Sequence, residues 1–208
     1  MAAPMRVGIL NDISDDPSFM GAGRWVELVA DDLQRTGRLD RGVELVGAFG
    51  AGLPEGTAAA VERADVELVE QDVLVVVGPA IGDNALALTP LVERLGVPTV
   101  NWSGAERARG EHMFHLQVGS HEDESVVLAR HLAAGGAQRL GVVVDRSPIG
   151  RRHLEYLVAE ADVLGIEVAT TATIAPLAEH AEPEVAAVVG AGVDAVVYLG
   201  LGLSAPAV

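Results

Sequence analysis

Asn101-Trp102-Ser103-Gly104-Ala105 sets one of only two tryptophans beside a hydroxyl and a carboxamide, at the end of a short strand-like run. An indole face with polar tips beside it can form a pocket wall that orients a small ligand. The same pattern suits a tryptophan packed under a loop. Gly78-Pro79-Ala80-Ile81-Gly82-Asp83 is the second candidate. Its small residues let backbone come close to a ligand, and the amides of the following helix can donate to a carboxylate or carbonyl. An ordinary strand-to-helix turn has the same composition. Asp12, Asp15 and Asp16 offer carboxylates to a cation, although a solvated acidic loop is the simpler reading.

Other chemistries lack their parts. The chain has no cysteine, so thiol nucleophiles, disulfides and thiolate metal sites are excluded. His112 and His115 are three apart on an extended segment and point to opposite faces. His121 reads as a turn or capping residue and His131 as a packing residue, while His153 and His180 have no partner at ligand spacing. No metal is expected. The first strand lacks the dinucleotide fingerprint; Gly47-Ala48-Phe49-Gly50-Ala51-Gly52 follows the second strand with the wrong spacing. No phosphate loop ends in Lys-Ser or Lys-Thr, and Ser103 does not sit in a Gly-x-Ser-x-Gly elbow. A phospho-acceptor aspartate is missing too, because the third strand ends in Gly78-Pro79. No catalytic residue and no cofactor is expected, and the chain reads as a binder rather than an enzyme.

Composition narrows the partners. With 208 residues and a net charge of −16, the chain is long enough for a real core and too acidic for a phosphate backbone or an anionic membrane surface. Half the residues are hydrophobic but only 3% are aromatic, so the interior must be built from Val, Leu, Ile and Ala. Charges or turn residues interrupt every apolar run before membrane length, so no membrane insertion is expected. Met1–Pro4 lead straight into Arg6-Val7-Gly8-Ile9-Leu10 with no leader pattern. As written the protein is expected in the cytoplasm; a misassigned start or a mature form would place it outside.

The elements that must position these loops alternate strand and helix. Strands are expected at Arg6–Leu10, Val43–Phe49, Val73–Val77 and Pro98–Asn101, with an extended segment over His112–Val118. Helices are expected at Arg24–Thr36, Thr57–Gln71, from Asp83 or Asn84 to Leu95 with a kink or restart at Pro90, and at Glu122–Ala134. The pattern then restarts, because Arg139-Leu140-Gly141-Val142-Val143-Val144-Asp145 echoes Arg6-Val7-Gly8-Ile9-Leu10-Asn11-Asp12. A helix near Arg151–Leu164, a strand over Ile166–Thr171, a helix near Glu184–Val189 and a strand over Asp194–Leu199 follow. Such alternation means parallel sheets with right-handed crossovers. The expected organisation is an N-terminal α/β lobe over residues 1–136 and the first part of a second over 137–208, divided near Gly135-Gly136. In such sheets ligands sit beyond the carboxyl ends of the strands.

Several stretches carry a family resemblance: Gly37-Arg38-Leu39-Asp40-Arg41-Gly42-Val43-Glu44-Leu45-Val46, Val76-Val77-Gly78-Pro79 with Pro90 downstream, Gly96-Val97-Pro98-Thr99-Val100, Leu140 to Gly150, and Pro183 to Leu199. In order and spacing the chain resembles a type I periplasmic binding protein of the Leu/Ile/Val-binding branch, the substrate-binding receptors of branched-chain amino acid ABC transporters. The resemblance implies two Rossmann-like α/β lobes, each a parallel sheet flanked by helices, closing on an amino acid or a related amide or carboxylate. It implies an ABC transporter permease as partner and no catalysis. Ala80-Ile81-Gly82 and Ser103-Gly104-Ala105 stand where the family holds the ligand carboxylate, with Trp102 beside them. Ile149 stands where the family commonly has a covering Tyr. That replacement and the thin hydroxyl complement point to a more apolar ligand. Family members are longer, so the second lobe is expected to be incomplete at Val208. A cytoplasmic ligand sensor acting on a regulatory protein is the alternative.

Overall fold

A computed structural model describes residues 3–16, 23–117 and 119–208. Part of the glycine- and aspartate-rich loop expected between Asn11 and Gly23 lies outside the described residues. The chain divides into two compact units, Met1–Val118 and Gly119–Val208.

In the first unit, β1 (Met5–Asn11), β2 (Val43–Phe49), β3 (Val75–Val77), β4 (Thr99–Asn101) and β5 (Met113–His115) form one parallel sheet in the order β2-β1-β3-β4-β5. Helices α1 (Gly23–Arg35), α2 (Ala58–Val69) and α3 (Gly82–Leu95) make the crossovers. Thr57 starts α2 by accepting the Ala60 N–H at 3.2 Å, which satisfies one of the amides a helix start leaves open. Val61 and Leu68 of α2 then meet Leu10, Val76, Leu88 and Met113 in the core. Pro90 was expected to kink or interrupt α3, yet the helix runs unbroken through it. Leu88 and Val92, on either side of the proline, are both buried in the core, so the helix continues past Pro90 rather than restarting after it. The apolar stripe of α1 is less completely covered. Trp25 and Val29 are exposed, and with Val7, Val26, Leu39 and Val43 they border a groove of about 360 Å³.

In the second unit, β6 (Arg139–Asp145), β7 (Glu167–Ile174) and β8 (Ala195–Leu199) pair in parallel in the order β7-β6-β8. Helices α4 (His121–Ala134), α5 (Pro148–Leu164) and α6 (Glu182–Gly190) surround them. Residues alternate across a strand, so β6 serves two cores. Val142 and Val144 pack with Ala129 of α4 and Leu157 of α5, while Val143 packs with Val188 of α6. Ala129 draws α4 into this unit, where it runs against α5. The expected boundary at Gly135-Gly136 falls after α4, whereas the contacts divide the chain before it. Among the described residues no helix is long and apolar enough to cross a membrane.

Candidate functional site

The carboxyl end of each sheet is organised around one buried aspartate. Asp12 directly follows β1 and is 1% exposed. Its Oδ1 accepts the Ala80 N–H at 2.8 Å, and its Oδ2 accepts the Ile81 N–H at 3.0 Å and the Asn84 side-chain amide at 2.9 Å. Asn84, itself fully buried, accepts the Leu53 N–H at 2.9 Å through its own oxygen. One carboxylate and one carboxamide thus tie together the loops that follow β1, β2 and β3. Helix α3 explains the need. Its N-cap residue, Ile81, has no side chain to cap with, so the donors at its entrance require an acceptor from elsewhere. A negative charge is favoured there by the helix dipole. Asp83 or Asn84 was expected to be that cap; the acceptor comes instead from the far end of β1.

The second unit repeats the device. Asp145 ends β6 and is fully buried. Its Oδ1 accepts from the Ser147 N–H at 3.0 Å and from the Ser147 hydroxyl. Its Oδ2 accepts the Leu201 N–H at 2.9 Å and the Tyr198 hydroxyl at 3.3 Å. Burial, and then the charge of Asp145, hold the Tyr198 phenol above its ordinary pKa. Each aspartate therefore follows or ends the central strand of a β2-β1-β3 or β7-β6-β8 triplet and reaches the loop after the third strand. The two are the seventh residues of the segments whose sequences echo each other. The fit is tight: a Cβ on Gly200 would stand 2.1 Å from Asp145 Oδ2 and 2.4 Å from its carboxyl carbon. Gly200→Ala is expected to lower stability by about 2 kcal/mol through overpacking, read by urea denaturation. An unchanged midpoint would mean that the loop yields freely.

These networks decide the fate of the residues singled out from sequence. The Ala80 and Ile81 amides, expected to face a ligand carboxylate, are occupied by Asp12. Gly82 is the buried first residue of α3. Ser103 is fully buried, and its hydroxyl donates to Asn101 Oδ1 at 2.8 Å. The Asn101 side-chain amide donates to the carbonyls of Ala108 and Phe114 at 2.9 and 3.1 Å, which fixes the segment after β4 against β5. His115 Nε2 lies 2.7 Å from the Ser103 carbonyl. Ala105 is buried and packs with Ala85 and Ala108, which sets the segment after β4 against the first turn of α3. Gly104 and Trp102 are half-buried. Ile149, in the other unit, is buried in the first turn of α5. Asp15, read with Asp12 and Asp16 as a carboxylate group open to a cation, accepts the Ala51 N–H at 2.6 Å through Oδ1.

The histidines need a correction. His153 was read as having no partner at ligand spacing, but α4 and α5 bring its ring to a centroid distance of 5.0 Å from His121. The two residues lie on different helices, so no spacing along the chain could show this. Sequence reading likewise passed over the roles of Asp12, Asp145 and Asn101. The repeated aspartate at the end of the echoed strand was the one visible signal.

A family model described as "Periplasmic binding protein" matches residues 4–208. The chain belongs to the periplasmic binding protein family. Several solved structures share this fold. A type 1 periplasmic binding protein from Bordetella pertussis Tohama I is 20% identical with a TM-score of 0.82, over 99% of this chain and 58% of that one. The leucine-binding protein LivK from Thermotoga maritima MSB8 is 16% identical with a TM-score of 0.73, over 93% and 55%. A solute-binding protein of an ABC transporter from Rhodopseudomonas palustris BisB5, solved with 3,4-dihydroxybenzoic acid, is 16% identical with a TM-score of 0.75, over 97% and 55%. This periplasmic binding protein family member therefore spans just over half the length of these structural neighbours. No curated protein sequence matches it.

Proposed function

We propose that this chain is the ligand-recognising part of a solute-binding protein serving an ABC-type transport system, and that its solute is a small carboxylate with an apolar or aromatic body. The observation that carries the reading is the contrast at the first-unit loops. The donors that the family resemblance assigns to a ligand carboxylate, the Ala80 and Ile81 amides and the Ser103 hydroxyl, are bonded within the protein, so the solute's carboxylate must draw its donors from elsewhere. Trp102 beside them, half-buried, is the aromatic face proposed to meet the solute's body. An aromatic ring stacks well on such a face, and offset stacking adds about 1 kcal/mol beyond the area buried. Family membership supports an extracytoplasmic working place, a transport permease as partner, and binding without chemical change. A solved neighbour of this fold, determined in complex with 3,4-dihydroxybenzoic acid, supports an aromatic carboxylate as the solute class.

Two tryptophans make the test direct. Trp25→Phe removes an exposed indole on α1 and leaves Trp102 as the only one. In that variant, benzoates and related aromatic acids are expected to quench Trp102 fluorescence saturably and to raise the melting temperature; leucine, isoleucine and valine are expected to do neither. Trp102→Ala should weaken the best aromatic ligand about tenfold. A strong thermal shift with branched-chain amino acids, or conversion of any compound to product, would reject this reading.

A further inference from the structure

Helices α4 and α5 of the second unit gather a set of side chains that the solute-binding reading does not use. His121 is the first residue of α4, and Glu124 lies one turn on, on the same face. His153 reaches them from the second turn of α5. His121 Nδ1 and Glu124 Oε2 are 3.3 Å apart, and His153 Nε2 is 4.0 Å from that oxygen. All three ligand atoms lie within 4.8 Å of one another.

His153 is 6% exposed, and its Nε2, aimed into this cluster, has no hydrogen-bond partner among the described residues. A buried polar atom left unpaired is costly, and native proteins rarely keep one without a use. Glu122 adds to the imbalance. It is 9% exposed, and neither of its oxygens has a hydrogen-bond partner among the described residues.

We propose that His121, Glu124 and His153 bind a divalent metal ion of the zinc class, bridging the first turn of α4 to the second turn of α5. Two imidazoles and a carboxylate are a recognised zinc donor set that leaves a fourth position for water or another oxygen. Tetrahedral zinc sets its ligand atoms about 3.3 Å apart, so the set must contract slightly. Glu124, 68% exposed, is free to rotate inward. The ion would also meet the negative charge of Glu122 beside it. A second group, Glu93, Glu111 and His112, has similar spacing. There, however, the Glu93 oxygens already accept three backbone N–H groups, from Glu111, His112 and Met113. That carboxylate is saturated by the protein, whereas His153 is not.

The test uses the full 208-residue chain without an affinity tag, stripped with chelator and titrated with Zn²⁺ by calorimetry. Co²⁺ serves as a spectroscopic probe. Expected are one high-affinity ion per chain, a higher melting temperature with Zn²⁺, and the strong visible absorption of four-coordinate cobalt. Glu124→Gln and His153→Gln should each weaken binding about tenfold or more and remove the cobalt spectrum, while His112→Asn should change neither. Circular dichroism checks that each variant folds. Should His153→Gln fail to fold, the exposed Glu124→Gln decides the matter alone. No uptake, affinity unchanged by Glu124→Gln, or loss only in His112→Asn would each overturn the assignment. Because the probe is the metal alone, failure of this site leaves the solute proposal untouched, and the reverse also holds.

Discussion

Replacing Asp12 with alanine is expected to cost the first unit about 3 kcal/mol, and added formate is expected to restore part of that loss. The substitution strands three donors at once: the Ala80 N–H, the Ile81 N–H and the Asn84 amide. All three surround a side chain only 1% exposed, so water cannot fully replace the carboxylate. The deleted group is a formate in size and charge, and the helix entrance favours an anion. Melting the variant and the parent in matched sodium formate and sodium chloride separates a specific effect from ionic strength. A stabilisation by formate seen only in the variant would establish the anion cradle. Equal stability of variant and parent, or equal formate response in both, would remove Asp12 from the role assigned to it. The variant also bears on solute binding, since it frees the amides where the family resemblance places a ligand carboxylate. Asp12→Ala is expected to gain affinity for small anions as it loses stability.

Asp65→Asn should stabilise the protein by up to about 3 kcal/mol at pH 7 and by little at pH 4. Asp65 lies on α2 among Val61, Ala64 and Leu68, is 1% exposed, and its Oδ1 has no hydrogen-bond partner among the described residues. Burial pushes its carboxyl pKa from 3.8 up to about 6. The sign follows from proton binding. Between about pH 4 and 6 the folded protein holds this proton more tightly than the unfolded chain, so stability falls as pH rises through that window. Below pH 4 both states are protonated and the handicap vanishes; above pH 6 it is fully present. Asparagine keeps the shape and removes the ionisation. Urea denaturation of parent and variant at pH 4.5, 5.5 and 7 should show the gap widening with pH. A pH-independent difference, or a less stable variant at pH 7, would mean that the Asp65 charge is compensated in the folded state.

Much of the fold was legible because its signals are local. The echo of Arg6–Asp12 in Arg139–Asp145 marked a second first-strand, and β6 lies between β7 and β8 in its sheet as β1 lies between β2 and β3 in its own. Thr57 and the acidic run Glu122-Asp123-Glu124 marked helix starts, and α2 and α4 begin within a residue of them. The family resemblance was carried by the order of such pieces and is confirmed by the match over residues 4–208. The site was less legible. Ser103 and the Ala80-Ile81 amides are chemically able to meet a ligand, and only their partners show that they are already engaged. Those partners are Asn101, two residues away, and Asp12, 68 and 69 residues away.

The sequence by itself determined the α/β class, the parallel alternation and the echo of one lobe in the next, since periodicity and turn chemistry are properties of neighbouring residues. Tertiary structure alone decided that α4 joins the second unit, that Asp12 and Asp145 saturate the loops they face, and that His121, Glu124 and His153 meet. Each of those outcomes depends on which elements pack together. A hydrogen bond or ligand set between distant segments leaves no periodic trace along the chain.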